Sequence, residues 1–444
     1  MTSFLASGAY LMAMLMLTIV FIVYSGIRLR WHPFFSLLLA CLFFGITSGM
    51  GGLTVLETIG SGFGSLIGKI GLVVVLGSIL GVLLEESGAV QRLGQLVQQR
   101  SSLSPSLGIT LLGMVLGIPV FCDSGFMILV SLARSVGQAA AVPASTMTLG
   151  LAGGLYTTHT LVPPTPGPMN AAANLGAGDS LGLVILLGMV VSLLVSLVAF
   201  FYARYIGPKI TVSIHAHETL PTVNQELPLW VPLVLIFLPV TLIAVGSVLA
   251  LTAVDVALLE FAGQPMIALL LTVAIGLYFF RQQGKTAVWI EKGIKQAGPI
   301  VLLTGCGGAF GAVLGKSPLA AIISAWTTEQ SLGGISFLVV CFGVSALFKS
   351  AQGSSTSAML IVSSLAYPLA AAAGFTDPVE LSLLVLAIGA GAMTVSHAND
   401  SYFWVVSQFG GIDLASSYRG WTIMTLLQGL TALGVVVLLY GALV

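Results

Sequence analysis

Two segments, 238 residues apart, place a histidine and a run of polar or helix-breaking residues inside apolar sequence. One is Thr158-His159-Thr160, followed by Pro163, Pro164, Thr165, Pro166, Gly167 and Pro168; the other is Ser396-His397-Ala398-Asn399-Asp400-Ser401. Imidazole changes protonation near neutral pH, so His159 and His397 are candidates to bind ligand or carry a proton. The prolines remove N–H donors and hold backbone open. Two further polar interruptions precede the histidine segments: Phe121-Cys122-Asp123-Ser124-Gly125-Phe126, and Lys349 through Ser357. An ionised carboxylate is costly between Phe121 and Phe126, which makes Asp123 a candidate proton carrier; a structural aspartate paired with a histidine or backbone donors is the alternative. Asp400 could act likewise or cap a helix. Ser124, Ser354, Ser355, Thr356, Ser357, Thr165 and Asn399 suit a polyhydroxylated ligand. Lys349 could neutralise a carboxylate or snorkel to the interface.

These residues must be positioned by membrane helices. Apolar residues make up 57% of the chain and charged residues 7%, against about a quarter charged in soluble domains. So few charges cannot cover a soluble globule of 444 residues. Long apolar runs, not short alternating strands, give an all-α polytopic membrane protein. Zero net charge offers no argument for nucleic acid. The four cysteines lack CxxC spacing and read as isolated core thiols, neither disulfides nor metal ligands. With Arg28 as the first cation, residues 9–24 read as a retained helix, not a signal peptide.

Clear spans are expected near 9–25, 34–50, 67–84, 182–206, 229–254, 265–280, 298–315, 333–348 and 420–442. The stretches 107–130, 142–175, 353–373 and 380–410 read as hairpins or broken helices. Arg28, Arg30, Arg92, Arg100, Arg204, Lys209 and the cluster Arg281, Lys285, Lys292 and Lys295 mark the inner side. Both termini then lie outside. Leu53–Gly68 and Ala287–Gln296 are amphipathic and read as interfacial helices. His215, His217 and Glu218 lack further metal ligands nearby, so 207–228 reads as a cytoplasmic linker.

Gly77, Gly81, Leu84 and Ser87 match Gly307, Gly311, Leu314 and Ser317 at one offset of 230; His159 matches His397 at 238. The halves start on opposite sides, as inverted-topology repeats do, with the binding site expected near the midplane at their interface. The repeats would be 1–206 and 229–444. A re-entrant hairpin with a polar tip explains each earlier interruption. The tips, including Gly125 and Gly353, would expose backbone N–H groups and helix N-termini that favour an anion. Gly315-Lys316-Ser317 is not a Walker A loop, because Phe310 stands at its first glycine.

The motifs resemble the gluconate permease family over nearly the whole length. The resemblance is clearest in Phe121–Phe126, His159–Pro168, Gly305–Leu314, Lys349–Thr356 and Ser396–Trp404. It implies an inner-membrane, proton-coupled symporter of small hydroxy-acids in the ion transporter superfamily. It also implies inverted repeats, two re-entrant hairpins, a homodimer and elevator-like movement of transport elements 107–206 and 333–444 against scaffold helices 1–84 and 229–315, with the outward termini periplasmic. Gluconate-type members often carry Glu-Val where this chain has Asp123-Ser124, and arginine where Lys349 stands. Gluconate, other sugar acids, glycerate-like acids and D-serine are therefore all compatible.

The expectation is a secondary transporter in membrane lipid, not an enzyme, with no cofactor. It would import a small hydroxylated carboxylate with H⁺ and bind it through Ser124, Gly125, His159, Thr165, Lys349, Gly353, Ser354, Ser355, Thr356, Ser357, His397 and Asn399. Asp123, His159, His397 and Asp400 are the proton-coupling candidates. Sodium coupling is the rival within transport. An intramembrane enzyme, with Ser124 beside Asp123 as its thin nucleophile–base pair, and a channel are the rivals outside symport.

Overall fold

The computed structural model describes residues 8–29, 31–93, 104–212, 227–250, 257–318, 333–398 and 400–444. Among these residues the chain is helical, with one isolated bridge between Val212 and Ile412 and no strand. The first half runs α1 (Gly8–Ile27), α2 (Pro33–Thr47), α3 (Gly52–Glu86), α4 (Pro105–Leu116), α5 (Cys122–Ala139), α6 (Ala144–Leu161), α7 (Pro166–Leu175) and α8 (Leu181–Ile206). The second half runs α9 (Trp230–Ala250), α10 (Ala257–Gly263), α11 (Pro265–Phe280), α12 (Thr286–Lys316), α13 (Ile335–Gln352), α14 (Ser355–Ala370), α15 (Pro378–Met393) and α16 (Ser401–Phe409). Leu414–Ser417 and the π-helical Tyr418–Thr422 then lead into α17 (Ile423–Leu443). Six helical stretches among the described residues are long and apolar enough to cross a membrane.

Proline and capping chemistry set the interruptions. α4 ends at Gly117, and Pro119 keeps the chain from resuming a helix until Cys122. α6 ends before Pro163, and Pro166 opens α7 at the first helical position, where a missing N–H costs nothing. Gly353, at φ 81°, ends α13, and Ser354 caps α14 by accepting from Ser357 N at 3.2 Å. α15 starts on a capping box, with Pro378 behind it: Asp377 Oδ1 accepts from Val379 N at 2.8 Å, and Glu380 Oε2 accepts from Asp377 N at 2.9 Å.

The two long helices α3 and α12 pack along each other and form the axis of one group, with α2 against α12 and α11 against α3. Their backbones meet at Gly62 and Gly308: a Cβ on either would stand within 2.7 Å of the other's carbonyl oxygen. This crossing corrects a sequence expectation. Leu53–Gly68 and Ala287–Gln296 are not separate interfacial helices but opening turns of α3 (35 residues) and α12 (31 residues), which runs through Pro299. Polar and glycine positions there look like a surface face, yet part of that face is buried by the partner helix.

The second group is α4, α6, α8, α13, α15 and α17, with α7 packed against α14 and α5 against α6. The order helix–tip–helix, broken helix, long helix occurs in both halves: α4–α5, α6–α7, α8, then α13–α14, α15–α16, α17. The expected span 333–348 is thus the first arm of the α13–α14 pair, and Lys349 lies in its last turn. The described part of 229–254 matches α9, and 265–280 matches α11. α10 was not expected. The linker histidines His215 and His217 lie outside the described residues.

Candidate substrate site

Each interruption opens onto a helix N-terminus: the first tip onto α5, the proline break onto α7, the second tip onto α14 and the Ser396–Asp400 break onto α16. Contacts link all four. A Cβ on Gly167, in the first turn of α7, would stand 3.8 Å from Thr356 Cα in α14. The Tyr156 hydroxyl in α6 shares a 2.8 Å hydrogen bond with Ser355 Oγ at the second tip. Phe121 at the first tip and His159 at the proline break bring their rings within 6.0 Å. Phe126 in α5 lies edge-on to Tyr402 in α16 at 6.1 Å. Unbonded N–H groups and the helix dipole make such a meeting of N-termini attractive to an anion.

At its centre is a buried ion pair. Lys349 is 1% exposed and Asp400 4%, with Nζ 2.6 Å from Asp400 Oδ2. Nζ also donates to the Gly353 carbonyl at 2.6 Å. Asp400 Oδ2 further accepts from Ser396 Oγ at 2.5 Å, and Oδ1 accepts from Tyr402 N at 3.1 Å, capping α16. Ser396 Oγ in turn accepts from Trp421 Nε1 at 2.8 Å. Tyr156, Tyr402 and Trp421 pack on one another, with centroids 5.2–5.4 Å apart, and Lys349 Nζ sits 5.8 Å from the Tyr156 ring centre. Lys349 therefore does not snorkel: its charge is buried and already matched by Asp400. A buried pair of this kind needs its remaining donors and acceptors satisfied, and the carbonyl, the serine and the backbone N–H do that.

Asp123, in the first turn of α5, is half-buried and within electrostatic reach of Lys349 and Asp400, yet its Oδ1 has no protein partner. His159, in the last turn of α6, faces the same two charges, and its Nδ1 is likewise unpartnered. Gln352 Oε1, beside the second tip, is a third such atom. Buried polar atoms left unpaired mark places where a ligand, ion or water completes the structure.

The other expected residues divide by role. Thr356 is half-buried in the first turn of α14. Ser355 is committed to Tyr156, and Ser354 to capping α14. Ser357 is buried in the first turn of α14. Thr165 spends its hydroxyl on the Val162 carbonyl at 2.6 Å. Gly125 is buried, with Leu155 3.0 Å from where its Cβ would be. Gly353 contributes the carbonyl that holds Lys349. His397 Nε2 lies 3.0 Å from the Ser350 carbonyl and ties the second break to the end of α13. Ser124 contacts Glu85 on α3. Asn399 lies outside the described residues.

Sequence reasoning missed Tyr156, Tyr402, Trp421 and Glu85. Tyr156 stands three residues before His159 on one helix face, a spacing that could have flagged it. Glu85 follows Gly77 and Gly81 at intervals of four on α3. A Cβ at Gly81 would stand 2.9 Å from the Pro119 carbonyl, so this face lies directly against the first tip. Among the described residues no His, Cys, Asp and Glu group could hold a metal ion.

Known proteins are similar to this chain in sequence and in fold. Residues 10–443 match the family described as GntP family permease. The D-serine transporter DsdX of Escherichia coli is 30% identical over 96% of this chain and 97% of its own length. A gluconate permease of Pseudomonas aeruginosa is 29% identical over 98% of both chains. The crystal structure of the Alcanivorax borkumensis YdaH transporter superposes with a TM-score of 0.66 at 19% identity, covering 88% of each chain, and so shares the fold. The match along nearly the full length identifies the chain as a multi-pass membrane transporter belonging to the GntP permease family.

Proposed function

We propose that the protein imports a small hydroxylated carboxylate, gluconate or a near relative, together with protons across the bacterial inner membrane. One observation carries the reading: four helix N-termini meet around a neutralised Lys349–Asp400 pair, with Asp123 Oδ1 and His159 Nδ1 left unpartnered beside it. Because Asp400 already balances Lys349, an incoming carboxylate is held mainly by N–H groups and hydroxyls, and its charge is best offset by protonating Asp123 or His159. That couples anion and proton binding at one place.

The matching order of elements in the two halves supports an inverted-repeat reading, with α4–α5 and α13–α14 as re-entrant hairpins. The α3–α12 group would be the scaffold and the second group the moving body, in an elevator-type cycle. Asp123 Oδ1, an unpartnered acceptor, equally suits an ammonium group. D-serine, the substrate named for one relative, is therefore the second reading.

A thermal-shift screen of purified protein against D-gluconate, shorter hydroxy-acids and D-serine tests the choice. A ligand bound only by the folded state raises the melting temperature. Stabilisation by hydroxy-acids supports the first reading; stabilisation by D-serine alone replaces it with the second.

A further inference from the structure

A cleft of about 400 Å³ opens between the two helix groups. It is lined by Ser65 and Lys69 of α3, Lys316 at the end of α12, Asn174 of α7, and Ser364 and Tyr367 of α14, with glycines between them. No acidic side chain lines it. Lys69 and Lys316 are both exposed. Neither makes an ion pair among the described residues, and Lys316 Nζ reaches only Thr58 Oγ1, at 3.4 Å.

Two things make this cleft more than a surface groove. First, the charge pattern places the C-terminal end of α12 outside, and that side is normally poor in Lys and Arg. Lys316, at that end, therefore runs against the orientation signal, and Lys69 stands midway along α3, where a cation is costly without a role. Second, two of the cleft's walls run on to the substrate site. α14 runs from Ser355 at the second tip to Ser364 in the cleft wall, about 13 Å at helical rise. α7 runs from Gly167 beside that tip to Asn174, about 10 Å. Asn174 Nδ2 donates to Ser363 Oγ at 2.8 Å and Ser364 Oγ at 3.0 Å, binding the two walls together.

We infer that this cleft is an anion-binding vestibule in which Lys69 and Lys316 collect a carboxylate before it reaches the tips. The inference rests on the import reading above for its direction and ligand class. A cleft lined by one sign of charge raises the local concentration of oppositely charged ligand and its rate of arrival. The same chemistry would recognise an anionic lipid headgroup, so the test separates the two sources.

The four native cysteines are buried, so Ser65→Cys supplies the one readily reached thiol among the described residues. In phosphatidylcholine nanodiscs, its modification by an anionic and by a cationic methanethiosulfonate is timed with and without Lys69→Gln/Lys316→Gln. The expected result is an anionic preference that falls about tenfold in the double variant, weakens with added salt, and is competed by millimolar D-gluconate. An unchanged preference overturns the vestibule. Competition by added phosphatidylglycerol but not by D-gluconate makes it a lipid site and overturns the substrate route. D-gluconate uptake by Lys69→Gln/Lys316→Gln should show a KM raised roughly three- to tenfold at unchanged kcat. If the unmodified protein takes up no D-gluconate while the thiol keeps its anionic preference, the import reading fails and the anion site stands.

Discussion

Lys349 and Asp400, 51 positions apart, form an ion pair of 2.6 Å in which neither side chain is more than 5% exposed. It joins the end of α13 to the start of α16 and so fastens the second tip to the second break. Removing one partner leaves a buried charge uncompensated, which costs about 3–5 kcal/mol. Asp400→Asn should therefore sharply lower the melting temperature in detergent. Lys349→Met/Asp400→Leu should recover most of that stability while transport stays lost. Equal melting temperatures for Asp400→Asn and the unmodified protein would show that the pair does not hold the site together.

Asp123 makes the opposite case. Its Oδ1 bonds nothing in the protein, so Asp123→Asn should melt within a degree or two of the unmodified protein, in keeping with a change that removes no native bond. Substrate accumulation against a gradient should nevertheless vanish, while exchange of substrate across the membrane persists. Counterflow and pH-driven uptake in proteoliposomes read the two separately. Intact accumulation would remove Asp123 from coupling.

The bond between Tyr156 and Ser355 joins α6 to the second tip. Tyr156→Phe and Ser355→Ala should each weaken substrate binding by about three- to tenfold, corresponding to a hydrogen bond of roughly 0.5–1.5 kcal/mol. The double variant should lose little more than either single one. Strictly additive losses would mean that the two hydroxyls act independently.

Gly81 faces the Pro119 carbonyl so closely that a methyl group cannot enter without movement. Gly81→Val should slow transport by tenfold or more and destabilise the protein by about 1–3 kcal/mol. Gly64, with open space around its would-be Cβ, is the control. Gly64→Val should leave transport near normal; equal losses at both positions would argue against a close contact between α3 and the first tip.

Much of the helical layout was legible because span length and proline are local signals. Residues 265–280 and 182–206 coincide closely with α11 and α8, and Pro163 marks a helix end. The candidate site was legible as four interruptions, since polar residues are costly at membrane depth. Its inner wiring was not. That Lys349 meets Asp400, that Tyr156 meets Ser355 and that Thr165 turns back on Val162 all depend on partners set by packing. The interfacial reading of Leu53–Gly68 failed for the same reason: the pattern shows a weakly polar face but not that Gly62 lies against Gly308.

The central claim is that protons drive a small hydroxylated carboxylate through the site where the two tips and two breaks meet. Its most direct test is uptake of labelled D-gluconate by sodium-free proteoliposomes with an inward proton gradient. The unmodified protein should concentrate D-gluconate above equilibrium, collapse of the gradient should abolish this, and Asp123→Asn should not concentrate it at all. Accumulation that ignores the proton gradient and appears only with sodium, or no D-gluconate uptake under any gradient, would contradict the account.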